Sequence, residues 1–509
     1  MKADVREMPL AALRPALVLT VSALLLHACA IGPNYKRPTT ETPDRYKEVV
    51  ATPAAEGQQA SGEPGAAQPA AAQPAVTQMA STTAPAPNSP EEWWTLFNDA
   101  ALNDLEAQVK VSNQNLAAQE AAYRQSLAAV GVQRAGFFPI VSLDAGATRS
   151  GGAARARTGT TVGTGTTTTG SSTVYEAGAS ASWEIDLWGR LRRGLENAHA
   201  LADASAADLA GARLSIQGQL ATAYLQLREA DAEQRLLTDT VAGFGRSAEI
   251  ATNRYNAGVA AKTDMLQAKT QLANAQDTLV ALNLQRAQLE HAIAALVGKP
   301  ASNFSIAALE AWQTTIPDVP PGVPSTLLQR RPDIAAAERR VAAANASIGV
   351  AEADYFPALT LTGAYDFISN TTSGLFKSAN VSHSAGASLS EALFSGGATR
   401  ARVQGARAAH DQTVAEYRQT VLTAFQDVED QLAASRLLSQ QYEWRRQASE
   451  AADETERLTQ NQYRAGTISY TDVVVAQTAA LSARRALASI TLSRQSTAIS
   501  LITALGGRW

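Results

Sequence analysis

The sequence predicts an α+β membrane protein with an internal duplication: four membrane strands per chain, continued by long helices. Three observations predict it. Arg254-Tyr255-Asn256-Ala257-Gly258 leads to Thr263-Asp264, and 208 residues later Gln462-Tyr463-Arg464-Ala465-Gly466 leads to Thr471-Asp472. Before each copy runs a proline-free stretch, Arg190 to Tyr255 and Gly397 to Tyr463, with the composition of a continuous helix. Two pairs of segments elsewhere alternate apolar and polar residues with period two. A self-match at fixed offset dictates architecture, because each copy is one supersecondary unit.

The first ninety residues are set apart by composition. Lys2, Arg6 and Arg14 precede the apolar run Ala16 to Leu26, too short to cross a bilayer as a helix and built like a targeting signal. Leu26-His27-Ala28-Cys29 follows and contains the only cysteine of the 509-residue chain. It looks like a bacterial lipobox, which implies a signal peptide over 1–28 and an acyl chain such as palmitate on Cys29. Ala30, in place of a retention aspartate, implies sorting to the outer membrane. Residues 29–50 read as an extended, proline-bounded segment. Residues 51–92 read as a Pro/Ala-rich linker: 51–90 hold seven prolines, two charges and no aromatic, so they cannot offset the entropy of ordering.

The first repeat spans 93–298. Asp99 to Arg134 carries an apolar stripe at helical spacing (Leu102, Leu105, Val109, Leu116) and stops at Phe137-Phe138-Pro139. The period then changes to two. Val141, Leu143, Ala145 and Ala147 alternate with Ser142, Asp144, Gly146 and Thr148; Tyr175 to Ile185 alternates likewise, giving a hairpin over about 140–187. Such alternation over 9–11 residues is what a membrane-barrel strand requires. Residues 149–173, with nine threonines and six glycines, read as a surface loop; no phosphate-loop frame surrounds Gly163-x-Gly165. The helix from Arg190 to Tyr255 would be about 99 Å long at roughly 1.5 Å per residue, a length with no use in a globular domain. Gly258 supplies the turn, Thr263 is placed to cap the next helix, and Asp264 lies in its first turn.

Residues 299–325 hold five prolines and read as an irregular mid-chain segment. The second repeat, 326–509, opens at Arg331-Pro332-Asp333-Ile334 and registers with the first at an offset of 218, placing Tyr355-Phe356-Pro357 on Phe137-Phe138-Pro139. A second hairpin, about 358–393, precedes the second long helix.

Four amphipathic strands cannot close a barrel, and an open edge in lipid leaves backbone groups unpaired. Closed membrane barrels start at about 8 strands, and three copies of this chain give 12. The long helices likewise form a tube only as an oligomer.

The lipobox with Ile31-Gly32-Pro33-Asn34-Tyr35, the Arg331-Pro332-Asp333-Ile334 helix, the two Phe-Pro strand starts, Leu187-Trp188-Gly189 against Leu393-Phe394-Ser395-Gly396, and the doubled Tyr-x-Ala-Gly tips together resemble the TolC-like outer membrane factors, in their OprM/NodT lipoprotein branch. The resemblance runs from about residue 29 to 509 apart from the linker and the Thr/Gly loop. It implies a homotrimer: a 12-stranded transmembrane β-barrel continued by a periplasmic α-helical barrel, anchored by the lipid on Cys29 and needing no other cofactor. It further implies an exit duct in a tripartite efflux pump for drugs or other toxic small molecules, with a periplasmic adaptor and an inner-membrane transporter of the resistance-nodulation-division type as partners. The adaptor would meet the tips, at Tyr255 and Gly258 in the first and Arg464 and Gly466 in the second. In the family, acidic residues past the second tip narrow the periplasmic end. Asp472 matches one such position, while the next stands as Val475. A latch in relatives joins an aspartate of the first tip to a tyrosine and an arginine of the second; Asp264 and Tyr463 match, but the arginine position holds Ile468.

Other classes find less in the chain. A formal charge of −4 gives no basic surface for nucleic acid. Past Cys29 the chain has four scattered histidines (199, 291, 383, 410), without metal-ligand spacing or a nucleophile partner, and they give no support for an enzyme. A trimeric coiled-coil surface protein would explain the long helices but not the paired hairpins. A duct serving an ABC-type exporter differs only in its pump, which this chain does not encode.

Overall fold

The computed structural model describes residues 30–48, 92–153, 169–309, 311–312, 314–320 and 322–507. The signal segment, Cys29, nearly all of the linker and the centre of the Thr/Gly loop lie outside the described residues. The helices are α1 (Ala100–Ser112), α2 (Gln114–Ala135), α3 (Arg190–Asn256), α4 (Lys262–Val297), α5 (Pro332–Ala353), α6 (Ala398–Arg464) and α7 (Tyr470–Ala504). The strands are β1 (Ile140–Ala153), β2 (Thr169–Ile185), β3 (Ala358–Ser369) and β4 (Val381–Ser390). Their boundaries repeat with the sequence: α2 and β1 begin 218 residues before α5 and β3, and α3 and α4 begin 208 residues before α6 and α7. The two offsets differ by ten residues, taken up within the hairpins.

One compact unit comprises residues up to Thr39, Ala122–Ala206 and Ala336–Tyr417. It holds an antiparallel sheet of order β1-β2-β3-β4, in which β2 and β3 join the hairpins of the two repeats. Both hairpins leave their helices by the same turn: Phe137 and Phe138 donate to the carbonyls of Arg134 and Ala135, as Tyr355 and Phe356 do to Glu352 and Ala353. The strands run further than the alternation suggested. Arg149–Ala153 and Thr169–Thr173, assigned above to a loop, form ladder pairs such as Ser150↔Ser172. Threonine and serine pair through the backbone as well as any residue, and threonine favours a pleated strand.

The second unit comprises Thr40–Ala121, Ala207–Ala335 and Arg418–Trp509. Its core packs Trp93, Leu102, Val109, Leu220, Tyr224, Leu227, Ile293, Leu327 and Ile499, and full burial of such aliphatic side chains contributes about 1.5–3 kcal/mol each. The helix expected over 99–134 is two helices. Asn113 has extended dihedrals; its Oδ1 accepts from the Leu116 N–H (2.9 Å) and its Nδ2 donates to the Leu296 carbonyl (2.6 Å). The break thus starts α2 with a side-chain cap and ties it to α4.

An ion-pair network fastens the mid-chain segment to the helices of this unit. Buried Asp231 accepts from Arg228 (2.9 Å) and Arg286 (2.7 Å). The same arginines donate to the carbonyls of Ala307 and Ile306, and Arg235 donates to that of Leu309. The network thereby supplies partners for backbone groups that no regular element pairs.

All four long helical runs after the hairpins end alike. Val259 donates to the Arg254 carbonyl and Gly258 to that of Tyr255, and Thr467 and Gly466 repeat this with Gln462 and Tyr463. Lys299 and Gly298, then Gly507 and Gly506, close α4 and α7 by the same two bonds. These are Schellman motifs, and the residue at each turn has positive φ, from 73° at Gly258 to 87° at Gly506.

Candidate functional site

The two helical tips lie in the second unit and differ at one point. In the second, Ser469 is the N-cap of α7: its N–H and its hydroxyl both donate to Asp472 Oδ2 (3.1 and 2.7 Å), while its Oγ accepts from the Asp472 N–H (3.4 Å). This is a complete capping box. In the first tip the cap position is Ala261, with no side-chain bond. Thr263, expected as the cap, instead lies within the first turn, because α4 begins at Lys262. The Asp264 carboxylate accepts from the Thr263 hydroxyl at 3.5 Å, its one side-chain hydrogen bond among the described residues.

Around Tyr463 the contacts are aromatic. The Tyr463 and Tyr470 rings lie 5.4 Å apart, and the Arg254 guanidinium sits 5.0 Å from the centre of the Tyr463 ring. Tyr470 is buried, which raises its pKa; the neighbouring Tyr463 adds to this, and a hydrogen bond with Ser247 opposes it. Ile468, at the latch arginine position, packs against the cluster of Ala248, Ala251, Ala268, Tyr470 and Val473. The cation beside Tyr463 therefore comes from Arg254 of the first tip. Within the chain no hydrogen bond joins Asp264 to Tyr463 among the described residues. Tyr255, Gly258, Arg464, Gly466, Asp472 and Val475 are all exposed, and Asp264 is half-buried. Sequence reasoning passed over Ser469, Tyr470 and Arg254. Ser469-Tyr470-Thr471-Asp472 is a capping-box pattern that could have identified the first of these.

The second element is the sheet. Register places Leu143, Ala179, Tyr365 and His383 in one row and Val141, Ala181, Gly363 and Ala385 in the next. Over these rows one face is apolar across all four strands but for His383; farther along the strands Arg149, Ser171, Thr173 and Ser369 fall on the same face. The opposite face carries Ser142, Asp144, Glu176, Ser180, Ser182, Thr362, Asp366 and Ser384. At β1 the apolar face is uncovered among the described residues: Val141 is 71% and Leu143 87% exposed. On the polar face Asp366 lies opposite Gly178, and a Cβ at 178 would fall 1.9 Å from its Oδ1. Aromatic rings collect where strands meet helices. Trp188 stacks on Phe356 at 4.9 Å and donates to the Pro357 carbonyl, and Trp183 donates to that of Phe137.

The third element is the chain segment after Cys29. Ile31 donates to the Trp188 carbonyl (3.0 Å). Buried Arg193 donates to the carbonyls of Ile31 and Gly32 and to Asn34 Oδ1, and Asn345 donates to the Pro33 carbonyl. Tyr35 bonds Glu338, and burial raises its pKa, with the Glu338 charge and hydrogen bond adding to the effect. Ala30 is thereby held against Gly189, where a Cβ would come within 2.9 Å of it.

Among the described residues no group of three or more His, Cys, Asp or Glu side chains could hold a metal ion, and no helix is long and apolar enough to cross a membrane.

Known proteins share this arrangement. A family model described as outer membrane efflux protein matches residues 105–299 and 323–507. The pyoverdine export outer membrane protein OpmQ of Pseudomonas aeruginosa is 30% identical over 419 residues, 82% of this chain and 87% of that protein. The probable efflux pump outer membrane protein TtgC of Pseudomonas putida is 30% identical over 502 residues, 97% of this chain and 95% of that one. Among solved structures, that of the outer-membrane channel OprN matches with a TM-score of 0.79 at 29% identity, covering 94% of this chain and 100% of that chain.

Proposed function

The chain belongs to the outer membrane efflux protein family, exit ducts of efflux pumps in the outer membrane, and from that premise we propose that three copies make one continuous channel. The observation that carries this reading is the sheet: four strands, an apolar face, a polar face, and, among the described residues, no strand beyond the edges β1 and β4. Its dimensions fit a bilayer. Tyr175 to Ile185 spans about 33 Å at roughly 3.3 Å per residue, and a strand tilt of about 40° reduces this to the ~25 Å height of an outward apolar band. Twelve strands from three chains would face lipid with Leu143 and Tyr365 and line water with Asp144 and Asp366. The duct is passive, with no enzymatic step.

Partners follow from the same premise. OpmQ and TtgC are named for export and efflux, which supports small molecules as the cargo here. The tips, with Tyr255, Gly258, Arg464 and Gly466 exposed, would receive a periplasmic adaptor that links the duct to an inner-membrane transporter of the resistance-nodulation-division type. Three copies of Asp472 about the channel axis would narrow the entrance with negative charge, with Asp264 and Tyr463 forming the seam that must part on opening; Val475, uncharged, would add bulk only.

A lipid on Cys29 would anchor the assembly. The contacts of Ile31 and Arg193 hold Ala30 at the junction of β2 and α3, beside Trp188 and Phe356, where interfacial aromatics sit. Labelling with a radioactive fatty acid, abolished in Cys29→Ala, tests the anchor. Light scattering of the detergent-extracted protein tests the duct: a mass of three chains is expected, and a stable monomer would refute it.

A further inference from the structure

We propose that the cleft between α3, α6 and α7 near the second tip is a small-molecule site for an amphipathic carboxylate, an acid with an apolar ring body and one hydroxyl or N–H donor. The cleft encloses about 680 Å³, within the ~300–1,000 Å³ range of small-molecule sites. Its walls are ring and aliphatic surface. Phe244 and Val473 are buried there, and the paired rings of Tyr463 and Tyr470 close one end. Gly243 leaves the α3 backbone bare to the cavity, since a Cβ there would meet nothing within 4 Å.

The charge balance at the rim selects an anion. Of the arginines lining the cleft, Arg484 is satisfied by Asp453 and Glu456 (2.7 and 3.0 Å). The others have no carboxylate partner among the described residues: Arg254 lies on the Tyr463 ring, Arg464 reaches only Asn461 at 3.5 Å, and Arg246 makes no ion pair. Asp239 is the one acid left to offset these three. Unpaired guanidinium groups at an apolar cavity are the usual receptors for carboxylates, which they bind through parallel N–H bonds. A neutral ligand would leave them as they are.

A donor on the ligand follows from Gln477. This side chain lines the cleft, is 5% exposed, and its Oε1 is buried with no hydrogen-bond partner among the described residues. A buried amide oxygen without a donor is destabilising by about 1–3 kcal/mol, so a ligand O–H or N–H placed there recovers a contact the free protein lacks. The anion at the rim and the donor at the wall fix the ligand's direction in the cleft.

The test is isothermal titration calorimetry of 6-hydroxy-2-naphthoate into the full-length protein in lipid nanodiscs, with empty nanodiscs as reference. One saturable site per chain is expected, with at least tenfold weaker binding of the neutral methyl ester and of the acid to the Arg246→Gln/Arg254→Gln variant. Gln477→Leu should weaken binding of the acid three- to tenfold. No saturable heat at millimolar acid, or less than threefold discrimination between acid and ester, overturns the proposal. The ester comparison uses the unaltered protein, so it stands even where a variant fails to fold.

Discussion

Ser469 and Asp472 satisfy one another's orphan groups at the start of α7, in a reciprocal pair that the first tip lacks. Asp472 therefore has a structural task as well as the proposed gating one, and the tasks separate by substitution. Asp472→Asn keeps an acceptor for the Ser469 N–H and removes the charge. Ser469→Ala keeps the charge and removes the cap, at a cost of about 1 kcal/mol. We expect Asp472→Asn to raise single-channel conductance and weaken block by divalent cations, with Ser469→Ala lowering thermal stability alone. If Ser469→Ala alters conductance as much as Asp472→Asn, the carboxylate acts through the cap and not as a charged constriction.

Glu106 on α1 is fully buried, with no hydrogen-bond partner for either carboxylate oxygen among the described residues; burial raises its pKa to about 9, opposed only by Lys110. The folded chain holds this proton through neutral pH while the unfolded chain releases it near 4.5, so stability is full at low pH and falls as pH rises from about 5 to 9. At about 1.36 kcal/mol per unit, the loss between pH 5 and pH 8 is on the order of 4 kcal/mol. The neutral isostere Glu106→Gln should remove that part of the slope in denaturant melts taken across this pH range. An unchanged slope would show that the group is charged or paired in solution.

The terminal glycines of the long helices are not equivalent. At Gly258 a Cβ meets nothing within 4 Å, so Gly258→Ala brings only the strain of a left-handed residue, about 1–2 kcal/mol. At Gly298 the added Cβ would lie 2.1 Å from the Ser112 carbonyl oxygen, and the backbone of α1 or α4 must move. Melting temperatures at one scan rate should fall slightly for Gly258→Ala and several times further for Gly298→Ala. Equal shifts would mean that the end of α1 yields freely.

Architecture was legible because the chain states it twice. The offsets of 208 and 218 locate the tips, the helix starts and the strands without any knowledge of long-range contacts, and the family match falls on the same two stretches. What was hidden depended on partners far along the chain. The break at Asn113 is stabilised by Leu296, 183 residues away, and a lone asparagine in a helical stripe carries no local sign of it. Arg254 on the Tyr463 ring is likewise invisible, since each residue taken alone reads as ordinary helix surface. The start of α4 was misplaced for the opposite reason: Thr263 has the chemistry of a cap, but the backbone turns at Ala261, which has none.

Leu143 and Asp144 are adjacent on β1 and point to opposite faces of the sheet, so together they decide which face meets lipid. Leu143 is 87% exposed in a row with Ala179 and Tyr365, while Asp144 accepts a bond from Ser180 at 3.3 Å. An arginine on the lipid face of a barrel costs about 2–4 kcal/mol at the bilayer midplane, and the proposed homotrimer would carry it three times over. Leu143→Arg should therefore abolish recovery of the trimer from outer-membrane fractions. Asp144→Arg should assemble at normal levels, and its channels should lose preference for cations in bilayer recordings, since it places positive charge on the water-lined wall. The reverse outcome, with Leu143→Arg assembling and Asp144→Arg lost, would invert the sheet, and a barrel with serines and carboxylates toward acyl chains could not stand in a membrane.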